Sequence, residues 1–481
     1  MHLSALLPAL SPLGCTAEAE TEITALTHAS GEVVPGALFV AIPGYVADGH
    51  DFIGEAGRRG AAAVVCEHVP AEEIPYILVP DSRAALAALA AVWYGRPADG
   101  LTVVGVTGTN GKTTTTHLIK AMLEGALGAR VGLIGTIHNL IESEELPAAR
   151  TTPEALELQR LLRRMADAGC THVVMEVSSH ALLLHRVDGI RFAAGVFTNL
   201  TQDHLDFHGT MANYRAAKGR LFAQSDTAVL NLDDEAGAWY RETLSCPAVT
   251  YSENQNEADV VAKNIRLHPD HVTFEAVSAE AIARATVPIP GGFTIYNALA
   301  TIACARALGI SLKDACASLG GARGVKGRIE VVPTGRDFTV LIDYAHTPNA
   351  LENILLAVRD FAPGRIILVF GCGGDRDRSK RPIMGAAAAA GADILVVTSD
   401  NPRTEKPEAI IADILPGIPK DFPALHVEAD RSRAISLALS LARAGDIVLL
   451  CGKGHETYQI VGHETRHFDE REVVAARLAD M

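Results

Sequence analysis

The sequence predicts an α/β protein of three domains: a small N-terminal α/β domain, a central parallel sheet and a C-terminal Rossmann-like, doubly wound sheet. First, the chain has 481 residues, which corresponds to about three domains of ordinary size. Second, short β-branched apolar runs alternate with helical periodicity along most of the chain. Third, turn-rich segments near residues 98 and 330 interrupt this alternation. We therefore expect domains at 1–98, 99–330 and 331–481.

Individual elements follow from the same patterns. In the N-terminal domain, strands are expected at Ala37–Ile42 and Ala61–Cys66. In the central domain they are expected at Leu101–Thr107, Thr171–Val177, Ala193–Thr198 and Thr227–Leu232, with an antiparallel excursion over 247–290. In the C-terminal domain they are expected at Thr339–Ile342, Arg365–Phe370, Asp393–Thr398 and Asp446–Cys451, with helices over 348–360, 381–390 and 407–415.

Composition excludes several classes of protein. Lys and Arg number 42 against 57 Asp and Glu, and the net charge of −15 argues against a nucleic-acid or acidic-membrane binder. A hydrophobic content of 48% excludes disorder, and no apolar run reaches membrane-spanning length. The 8 cysteines are scattered without metal-ligand or CxxC spacing, as is typical of a reducing cytoplasm. We expect a cytoplasmic, multidomain enzyme.

A phosphate-binding loop is the clearest motif in the sequence. It lies between a predicted strand and a predicted helix, the context in which backbone amides and a helix N-terminus bind phosphate. The strict pattern would place a glycine at Val106, so this is a shorter form of the loop. Its predicted nucleotide-binding residues are Gly108, Thr109, Asn110, Gly111, Lys112, Thr113 and Thr114.

Two polar residues follow neighbouring predicted strands. Glu176 ends one strand and His204 follows the next, so both are expected at the sheet edge that carries the phosphate loop. A carboxylate and an imidazole beside nucleotide phosphates suit Mg²⁺, with the Thr113 hydroxyl as a further ligand. Lys218 lies in a probable helix and, from its pattern alone, would be a surface charge.

Ten ordered motifs resemble those of the Mur ligase family: GTNGKTTT, MEVSSH, TNLTQDHLDFHG, YRAAKGRLF, YNALA, GRIEVV, DYAHTP, GCGGDRDR, DNPR and GKGHE. The resemblance extends from about residue 30 to about residue 460 and so covers nearly the whole chain. The resemblance implies an ATP-dependent amide ligase of peptidoglycan precursor synthesis that works through an acyl phosphate. The substrates it implies are ATP, UDP-N-acetylmuramoyl-L-alanyl-D-glutamate and meso-diaminopimelate.

The resemblance also implies roles for individual residues. Asn297, Arg328 and Asp343 would contact ATP across the domain cleft. Glu176 and His204 would be magnesium ligands. Lys218 would be carbamylated and help to hold the second of two Mg²⁺ ions. This role is incompatible with the interpretation of Lys218 as an exposed surface charge. Lys112, Lys218, His204 and Glu176 are thus the expected catalytic residues.

The UDP-muramoyl-dipeptide would be held by residues of the first two domains. Arg150 stands where some relatives have Asn, and Ala29 and Gly31 flank Ser30 where many have Asp and Arg. Leu184 stands where some have Gln. The implied contacts are Ser30, Tyr45, Val46, Ala47, Arg150, Thr151, Thr152, Ser178 and Arg186.

Polar residues also follow three predicted strands of the C-terminal domain, and parallel strands would bring them to one edge. A zwitterionic amino acid with an extra charged end fits such an edge. The resemblance assigns meso-diaminopimelate to Arg376, Asp400, Asn401, Pro402, Arg403, Gly452 and Glu456. Arg403 would bind a distal carboxylate that lysine lacks. The alternative is that Arg403 caps a helix or pairs with Glu405.

Three other functions stay open at this point. The same ligase could use L-lysine or another diamino acid, or the chain could be a folylpolyglutamate-type ligase. A nucleotide-driven switch on the same fold is the alternative from another class, and the joint presence of Lys112, Glu176, His204 and Lys218 disfavours it. We expect a monomer whose partners are small molecules rather than nucleic acids or membranes.

Overall fold

The computed structural model describes residues 1–44, 47–142 and 144–481. The chain forms two compact units, one of Met1–Tyr251 with Ala303–Ile310 and one of Ser252–Ile302 with Ser311–Met481. Tyr45 and Val46, two of the expected uridine contacts, lie outside the described residues.

The first unit begins with a five-stranded sheet in the order β1-β5-β4-β3-β2, in which only β1 is antiparallel. Its strands and helices are β1 (Gly14–Cys15), β2 (Ala25–Thr27), β3 (Ala37–Val40), α1 (Ile53–Arg58), β4 (Ala63–Cys66), β5 (Tyr76–Leu78) and α2 (Ser82–Trp93). Two apolar clusters pack on its opposite faces, one around Leu38 and Val65 and one around Phe39 and Val64. This confirms the small N-terminal α/β domain.

The central sheet of the first unit is predominantly parallel. Its elements are β6 (Thr102–Thr107), α3 (Lys112–Leu127), β7 (Val131–Ile134), β8 (His138–Ile141), β9 (Glu144–Pro147), α4 (Ala155–Asp167), β10 (His172–Glu176), α5 (Ser179–Leu183), β11 (Phe192–Phe197), α6 (Leu205–His208), α7 (Met211–Ala223), β12 (Ser225–Asn231), α8 (Glu235–Thr243) and β13 (Ala248–Ser252). The order is β13-β12-β11-β6-β10-β7-β8-β9. Strand β6 therefore lies between β10 and β11, which brings the loops after all three to one edge.

The antiparallel excursion expected over 247–290 is only partly correct. Strand β13 pairs parallel with β12, so it extends the parallel sheet. The second unit contains the antiparallel part, which consists of β14 (Val260–Leu267), β15 (Val272–Val277) and β16 (Ile282–Val287). Two helices follow, α9 (Phe293–Ala307) and α10 (Leu312–Leu319).

The six-stranded sheet of the second unit has the order β17-β18-β22-β19-β20-β21 and only β17 is antiparallel. Its elements are β17 (Glu330–Val332), β18 (Thr339–Asp343), α11 (Pro348–Arg359), β19 (Ile366–Phe370), α12 (Lys380–Gly391), β20 (Ile394–Val397), α13 (Pro407–Ile414), β21 (Leu425–Val427), α14 (Arg431–Leu441) and β22 (Ile447–Cys451). A hairpin of β23 (Tyr458–Val461) and β24 (Glu464–His467) precedes α15 (Glu470–Ala479).

Alternate residues of these strands are buried in two different apolar clusters. Leu341, Leu368 and Leu449 pack with α11, α12 and α13, whereas Val340 and Val448 pack with α14 and α15. Helices therefore cover both faces, which confirms the doubly wound C-terminal sheet. The sequence patterns did not predict α14, α15 or the hairpin.

A fully buried ion pair ties α15 to the sheet. The Arg431 guanidinium lies 2.7 Å from the Glu470 carboxylate. It also donates to the carbonyl oxygens of Ser399, at 3.1 Å, and Cys451, at 2.8 Å. These two residues follow β20 and end β22, so the pair fixes the points from which the following loops depart.

The 8 cysteines are all free thiols, and most of them are buried. Within the described part of the chain, no helix is both long enough and apolar enough to cross a membrane.

Candidate active site

The phosphate loop connects the buried strand β6 to the N-terminus of α3. Gly108 and Gly111 have φ of 149° and 83°, and a Cβ at Gly108 would lie 1.9 Å from the Thr198 hydroxyl. The Lys112 ammonium donates to the carbonyl oxygens of Gly108, at 2.9 Å, and Thr109, at 2.8 Å. The strand–loop–helix context predicted from sequence is confirmed, and it can bind phosphate through backbone amides, the helix N-terminus and the lysine.

A second loop packs against the phosphate loop and holds its shape. The Asn199 side-chain oxygen accepts from the Asn110 amide at 2.9 Å, and the Asn199 carbonyl accepts from the Thr109 amide at 2.8 Å. The Thr198 hydroxyl donates to the Asn110 carbonyl at 2.6 Å. Sequence analysis assigned no role to Thr198 or Asn199. The two residues follow β11 directly, and β11 pairs with β6, so their position in the sequence could have indicated that they lie beside the phosphate loop.

Glu176 ends β10 in register with Val106 of β6, and its side chain is 1% exposed. Its carboxylate accepts from the Thr113 hydroxyl at 3.0 Å. It also accepts from the Thr136 amide at 2.9 Å and the Thr136 hydroxyl at 3.1 Å. The sheet thus brings together two of the expected magnesium ligands, Thr113 and Glu176.

The donor set suits Mg²⁺ bound together with nucleotide phosphates. Among the described residues, no three or more His, Cys, Asp or Glu side chains are grouped so that they could hold a metal ion as its protein ligands. Mg²⁺ commonly takes one or two protein oxygens and completes its coordination with phosphate and water. A buried carboxylate in contact with a threonine hydroxyl beside the phosphate loop meets that requirement.

His204 is half exposed and adopts a left-handed conformation with φ of 51°. Its ring contacts His180 edge to face, with centroids 4.9 Å apart, and lies 3.5 Å from Asp203. These contacts do not join it to Thr113 or Glu176, so its role as a magnesium ligand stays a prediction.

Lys218 is buried at 1% exposure, so the interpretation of this residue as a surface charge is wrong. Its ammonium donates to the Gly108 carbonyl at 2.8 Å and lies 4.4 Å from the centre of the Tyr214 ring. Burial, together with the nearby Lys112, holds the pKa of Lys218 well below its usual range. The helical pattern failed here because α7 turns this face toward the phosphate loop.

Three of the residues expected to bind the UDP-muramoyl-dipeptide are in contact. The Thr152 hydroxyl donates to the Glu176 carbonyl at 2.8 Å and accepts from the Ser178 amide at 3.1 Å. Arg186 donates to the Thr152 carbonyl at 3.2 Å. This cluster lies directly beside the expected magnesium ligand Glu176.

Glu154, which sequence analysis did not identify, joins the arginines of this cluster. Its carboxylate lies 2.7 Å from Arg186 and 3.0 Å from Arg150, and Arg83 of α2 lies 3.9 Å away. Three cations thus surround one carboxylate, so the cluster has an excess of positive charge, and this charge favours an anionic ligand.

The remaining described residues expected to contact this substrate, Ser30, Ala47 and Thr151, also belong to the first unit. The Thr151 hydroxyl lies 3.1 Å from that of Thr136. The Ser30 hydroxyl donates to Glu55 at 3.3 Å, and Ala47 is exposed. The contacts that the structure gives Ser30 and Ala47 do not join them to the Thr152 cluster.

The other expected nucleotide contacts belong to the second unit. Asp343 ends β18 and accepts from the amides of Ile329, at 2.9 Å, and Ala345, at 2.8 Å. Burial raises the pKa of Asp343. Arg328 lies over the Tyr344 ring at 5.4 Å, so the structure places it close to Asp343. Asn297 is buried on α9.

The loops after β19, β20 and β22 meet at one sheet edge, as the predicted parallel pairing requires. The Asn401 amide donates to Glu456 at 2.9 Å. Gly452 has φ of 116°, and a Cβ there would lie 2.6 Å from the Asp400 carboxylate. The structure therefore groups Asp400, Asn401, Gly452 and Glu456.

Lys453 lies beneath this group and is fully buried. Its ammonium donates to the Asn401 side-chain oxygen at 3.1 Å and to the Tyr458 carbonyl at 2.6 Å. It lies 3.5 Å from Glu456 and 3.8 Å from Asp400. Sequence analysis did not single it out, since a lysine in a glycine-rich loop has no pattern that reveals burial.

Arg403 neither caps a helix nor pairs with Glu405. It has φ of 50°, and its guanidinium donates to the Gly374 carbonyl at 2.9 Å. Within the described residues, the structure gives it no ion pair. Arg376 is exposed and donates to the Asp375 carbonyl at 3.2 Å. Two guanidinium groups at this edge are thus placed where a ligand carboxylate could reach them.

Comparisons with known proteins agree along the whole chain. Three family models match in order: "Mur ligase family, catalytic domain" at residues 22–94, "Mur ligase middle domain" at 106–305 and "Mur ligase, glutamate ligase domain" at 327–454. The second match includes the phosphate loop, and the third includes Arg376, Asp400–Arg403 and Gly452.

Full-length relatives carry one name, UDP-N-acetylmuramoyl-L-alanyl-D-glutamate–2,6-diaminopimelate ligase. That of Geobacillus thermodenitrificans is 44% identical and that of Clostridioides difficile 43%, each alignment covering 100% of both chains. A solved structure of a protein with this name has a TM-score of 0.77 at 32% identity, covering 100% of this chain and 99% of the other. The chain belongs to the Mur ligase family of ATP-dependent ligases that form amide bonds.

Proposed function

We propose that this ligase joins meso-diaminopimelate to UDP-N-acetylmuramoyl-L-alanyl-D-glutamate and converts ATP to ADP and phosphate. The names of its full-length relatives support this choice of substrates. The observation that carries the choice of amino acid is Arg403, a guanidinium with no ion pair among the described residues at an edge that also offers Glu456 and Asn401. Diaminopimelate has a distal carboxylate for Arg403, and lysine would leave that guanidinium unsatisfied.

The proposed reaction has two steps. A carboxylate oxygen of the D-glutamate attacks the γ-phosphorus of ATP, which forms an acyl phosphate and releases ADP. The neutral amine of diaminopimelate then attacks the acyl carbon to give a tetrahedral intermediate. The nitrogen loses a proton, the C–O bond to phosphate breaks, and inorganic phosphate leaves as the amide forms. Placement of the reactants lowers the barrier of both steps, since neither has to wait for a collision in solution.

Each group of residues has a part in this scheme. The amides of Gly108–Thr114 and the Lys112 ammonium bind the ATP phosphates and stabilise the charge on the transferred phosphoryl group. Mg²⁺, held by Thr113 and Glu176 with His204 and modified Lys218 as further ligands, would neutralise phosphate charge when bound. Asn297, Arg328 and Asp343 are proposed to contact the nucleotide. Two ions are expected.

Carbamylation of Lys218 is part of the proposal. A carbamate forms when a neutral amine attacks CO₂, and burial favours the neutral amine of Lys218. Beside the phosphate loop the product would be an anion, which suits a metal ligand. An unmodified ammonium there would repel both Lys112 and Mg²⁺.

We further propose one substrate for each domain. Residues 1–98 with the Arg150–Arg186 cluster would bind the UDP-muramoyl-dipeptide, 99–330 would bind ATP and 331–481 would bind the amino acid. We propose that the enzyme acts as a monomer in the cytoplasm.

The deciding experiment measures ADP and phosphate release by the purified protein. The assay contains all three substrates or each pair of them. We expect release only when ATP, the UDP-muramoyl-dipeptide and meso-diaminopimelate are present together. Equal or faster release with L-lysine would contradict the amino-acid choice and leave the ligase reaction standing. Release with a folate and glutamate would favour the folylpolyglutamate-type alternative, and release that needs no amino acid would favour a nucleotide-driven switch.

A further inference from the structure

Arg381, in the first turn of α12, is fully buried and makes a bidentate ion pair with Glu405. Its two terminal nitrogens lie 2.9 and 2.7 Å from the two carboxylate oxygens. One of them also donates to Asp413 at 2.9 Å and the other to the Gly373 carbonyl at 3.4 Å. The guanidinium is enclosed by protein, so it cannot itself contact a substrate.

Glu405 is two residues from Arg403 along the chain, which makes it the nearest carboxylate in sequence. Besides Arg381, it accepts from the Asp375 amide at 2.7 Å. Hydrogen bonds from Arg381 lower the pKa of Glu405 to about 2, so it is an anion at neutral pH. Arg403 donates to the Gly374 carbonyl, and Glu405 accepts from the amide of the next residue, Asp375, so the two side chains contact the same loop. Glu405 is thus the carboxylate that could pair with Arg403 if Arg381 did not hold it.

Arg403 contacts carbonyl oxygens instead. Its guanidinium donates to Gly374, at 2.9 Å, and Asn401, at 3.5 Å, and its backbone is fixed by hydrogen bonds with Ile460 and Gly462. Carbonyl oxygens orient a guanidinium without neutralising it. Arg403 thus retains its charge while the carboxylate closest in sequence is occupied.

We propose that Arg381 is a positioning residue that binds Glu405 and so keeps the Arg403 guanidinium available for the carboxylate of the amino-acid substrate. This rests on the proposed function, in which Arg403 binds the distal carboxylate of diaminopimelate. The specificity of the site then depends on two arginines: one that binds the ligand and one that removes the internal competitor.

The test compares Michaelis constants of the full-length enzyme and its variants. Arg381→Met should raise the KM for diaminopimelate roughly 10- to 100-fold, because Glu405 is then able to pair with Arg403. The KM for ATP and kcat should change by less than about threefold. Adding Glu405→Gln to Arg381→Met removes the competitor and should return the KM to within about fivefold of the wild type.

The rescue separates this role from a purely structural one. If Arg381 only holds the loops together, the double variant will have a KM as high as the single variant or higher, and that result overturns the proposal. An unchanged KM in Arg381→Met also overturns it. Arg378→Met is the matched control: Arg378 is 65% exposed and pairs with Asp413, so its loss leaves Glu405 bound to Arg381.

If Arg381→Met does not fold, a second pair of variants, Arg381→Lys with and without Glu405→Gln, tests the same role. Arg381→Lys keeps a cation beside Glu405 without the bidentate geometry, so the KM should rise about 3- to 10-fold. Glu405→Gln in that background should reverse the rise, and failure to do so contradicts the proposal. The wild type is assayed first: no turnover of diaminopimelate contradicts the proposed function, whereas turnover without rescue contradicts only the role of Arg381.

Discussion

Two sheet edges of the molecule each contain a buried lysine, and the two lysines have opposite surroundings. One is the phosphate-loop edge of the central sheet, after β6, β10 and β11, and the other is the edge after β19, β20 and β22, called the amino-acid edge after its proposed ligand. Lys218 contacts a carbonyl and an aromatic ring, and the structure gives it no ion pair within the residues it describes. Lys453 contacts an amide oxygen and a carbonyl and lies within 3.8 Å of two carboxylates. Burial lowers the pKa of both lysines, and in Lys453 the carboxylates of Asp400 and Glu456 oppose that shift.

The surroundings of the two lysines indicate different roles for the two edges. A buried cation without a protein counter-ion costs stability, and this cost is compensated only when an anion or a modification arrives. A buried cation with protein carboxylates forms a frame for its neighbours. Within the described part of the chain, the phosphate-loop edge therefore leaves the Lys218 amine without an internal counter-ion, so that it is open to modification. The amino-acid edge instead neutralises Lys453 and Arg381 internally and leaves Arg403 and Arg376 for the proposed ligand.

The largest expected effect is at Lys218. Lys218→Ala should reduce kcat by roughly a thousandfold or more, since it removes a group beside the transferred phosphoryl group. Steady-state phosphate release measures the loss, and high bicarbonate should not restore it because the amine is absent. Lys263→Ala, at an exposed lysine of β14, is the control. Wild-type activity in Lys218→Ala would remove the carbamate role.

The next effect is on stability and distinguishes the two lysines directly. Lys453→Met should lower the free energy of unfolding by about 3 kcal/mol, because Asp400 and Glu456 lose their cation. Lys218→Met should leave it unchanged or raise it, because a desolvated charge is replaced by an apolar group. Urea unfolding of both variants measures the difference. A larger loss of unfolding free energy in Lys218→Met than in Lys453→Met would contradict the different roles assigned to the two lysines.

A smaller effect is expected at Arg403, on the ligand side of the amino-acid edge. Arg403→Ala should weaken diaminopimelate binding by about 1.5–3 kcal/mol, the usual size of a charge-assisted hydrogen bond. The KM for diaminopimelate should rise accordingly and the KM for ATP should not. Equal rises in both constants would place Arg403 outside the amino-acid site.

The smallest effect is the pH dependence of the Arg381–Glu405 pair. The pKa of Glu405 is about 2 in the folded protein, below its ordinary value of 4.5, so the pair contributes stability above pH 4.5. That contribution is lost as pH falls from about 5 toward 2, because the unfolded chain takes up the proton first. The gap in unfolding free energy between wild type and Glu405→Gln should narrow over this range. A constant gap would contradict the assignment.

Much of the fold could be predicted from the sequence because parallel, buried strands are continuous apolar runs. Strand β19, expected at Arg365–Phe370, is Ile366–Phe370, and the phosphate loop lies between strand and helix as predicted. The amphipathic pattern also located α11 within one residue, at Pro348–Arg359. Strand β13 was misjudged as antiparallel because a short strand gives no signal of direction.

The supporting residues of the sites could not be predicted in the same way. Arg381 and Lys453 resemble surface charges in sequence, and only the folded loops bring Glu405 and Asn401 against them. Lys218 would also have been interpreted as a surface charge, had the segment YRAAKGRLF not resembled a family motif. Long-range contacts between loops decide these roles, and local periodicity does not contain them.

The buried pair of Arg431 and Glu470 has a consequence for synthesis of the chain. The two residues are 39 positions apart, so the ribosome makes Arg431 well before its carboxylate partner. Until the segment Glu470–Ala479 has emerged, the guanidinium that fixes the ends of β20 and β22 is an uncompensated charge beneath the amino-acid loops. A nascent chain can therefore complete its phosphate loop before the loops after β20 and β22, where we propose that the amino acid binds, have their final support.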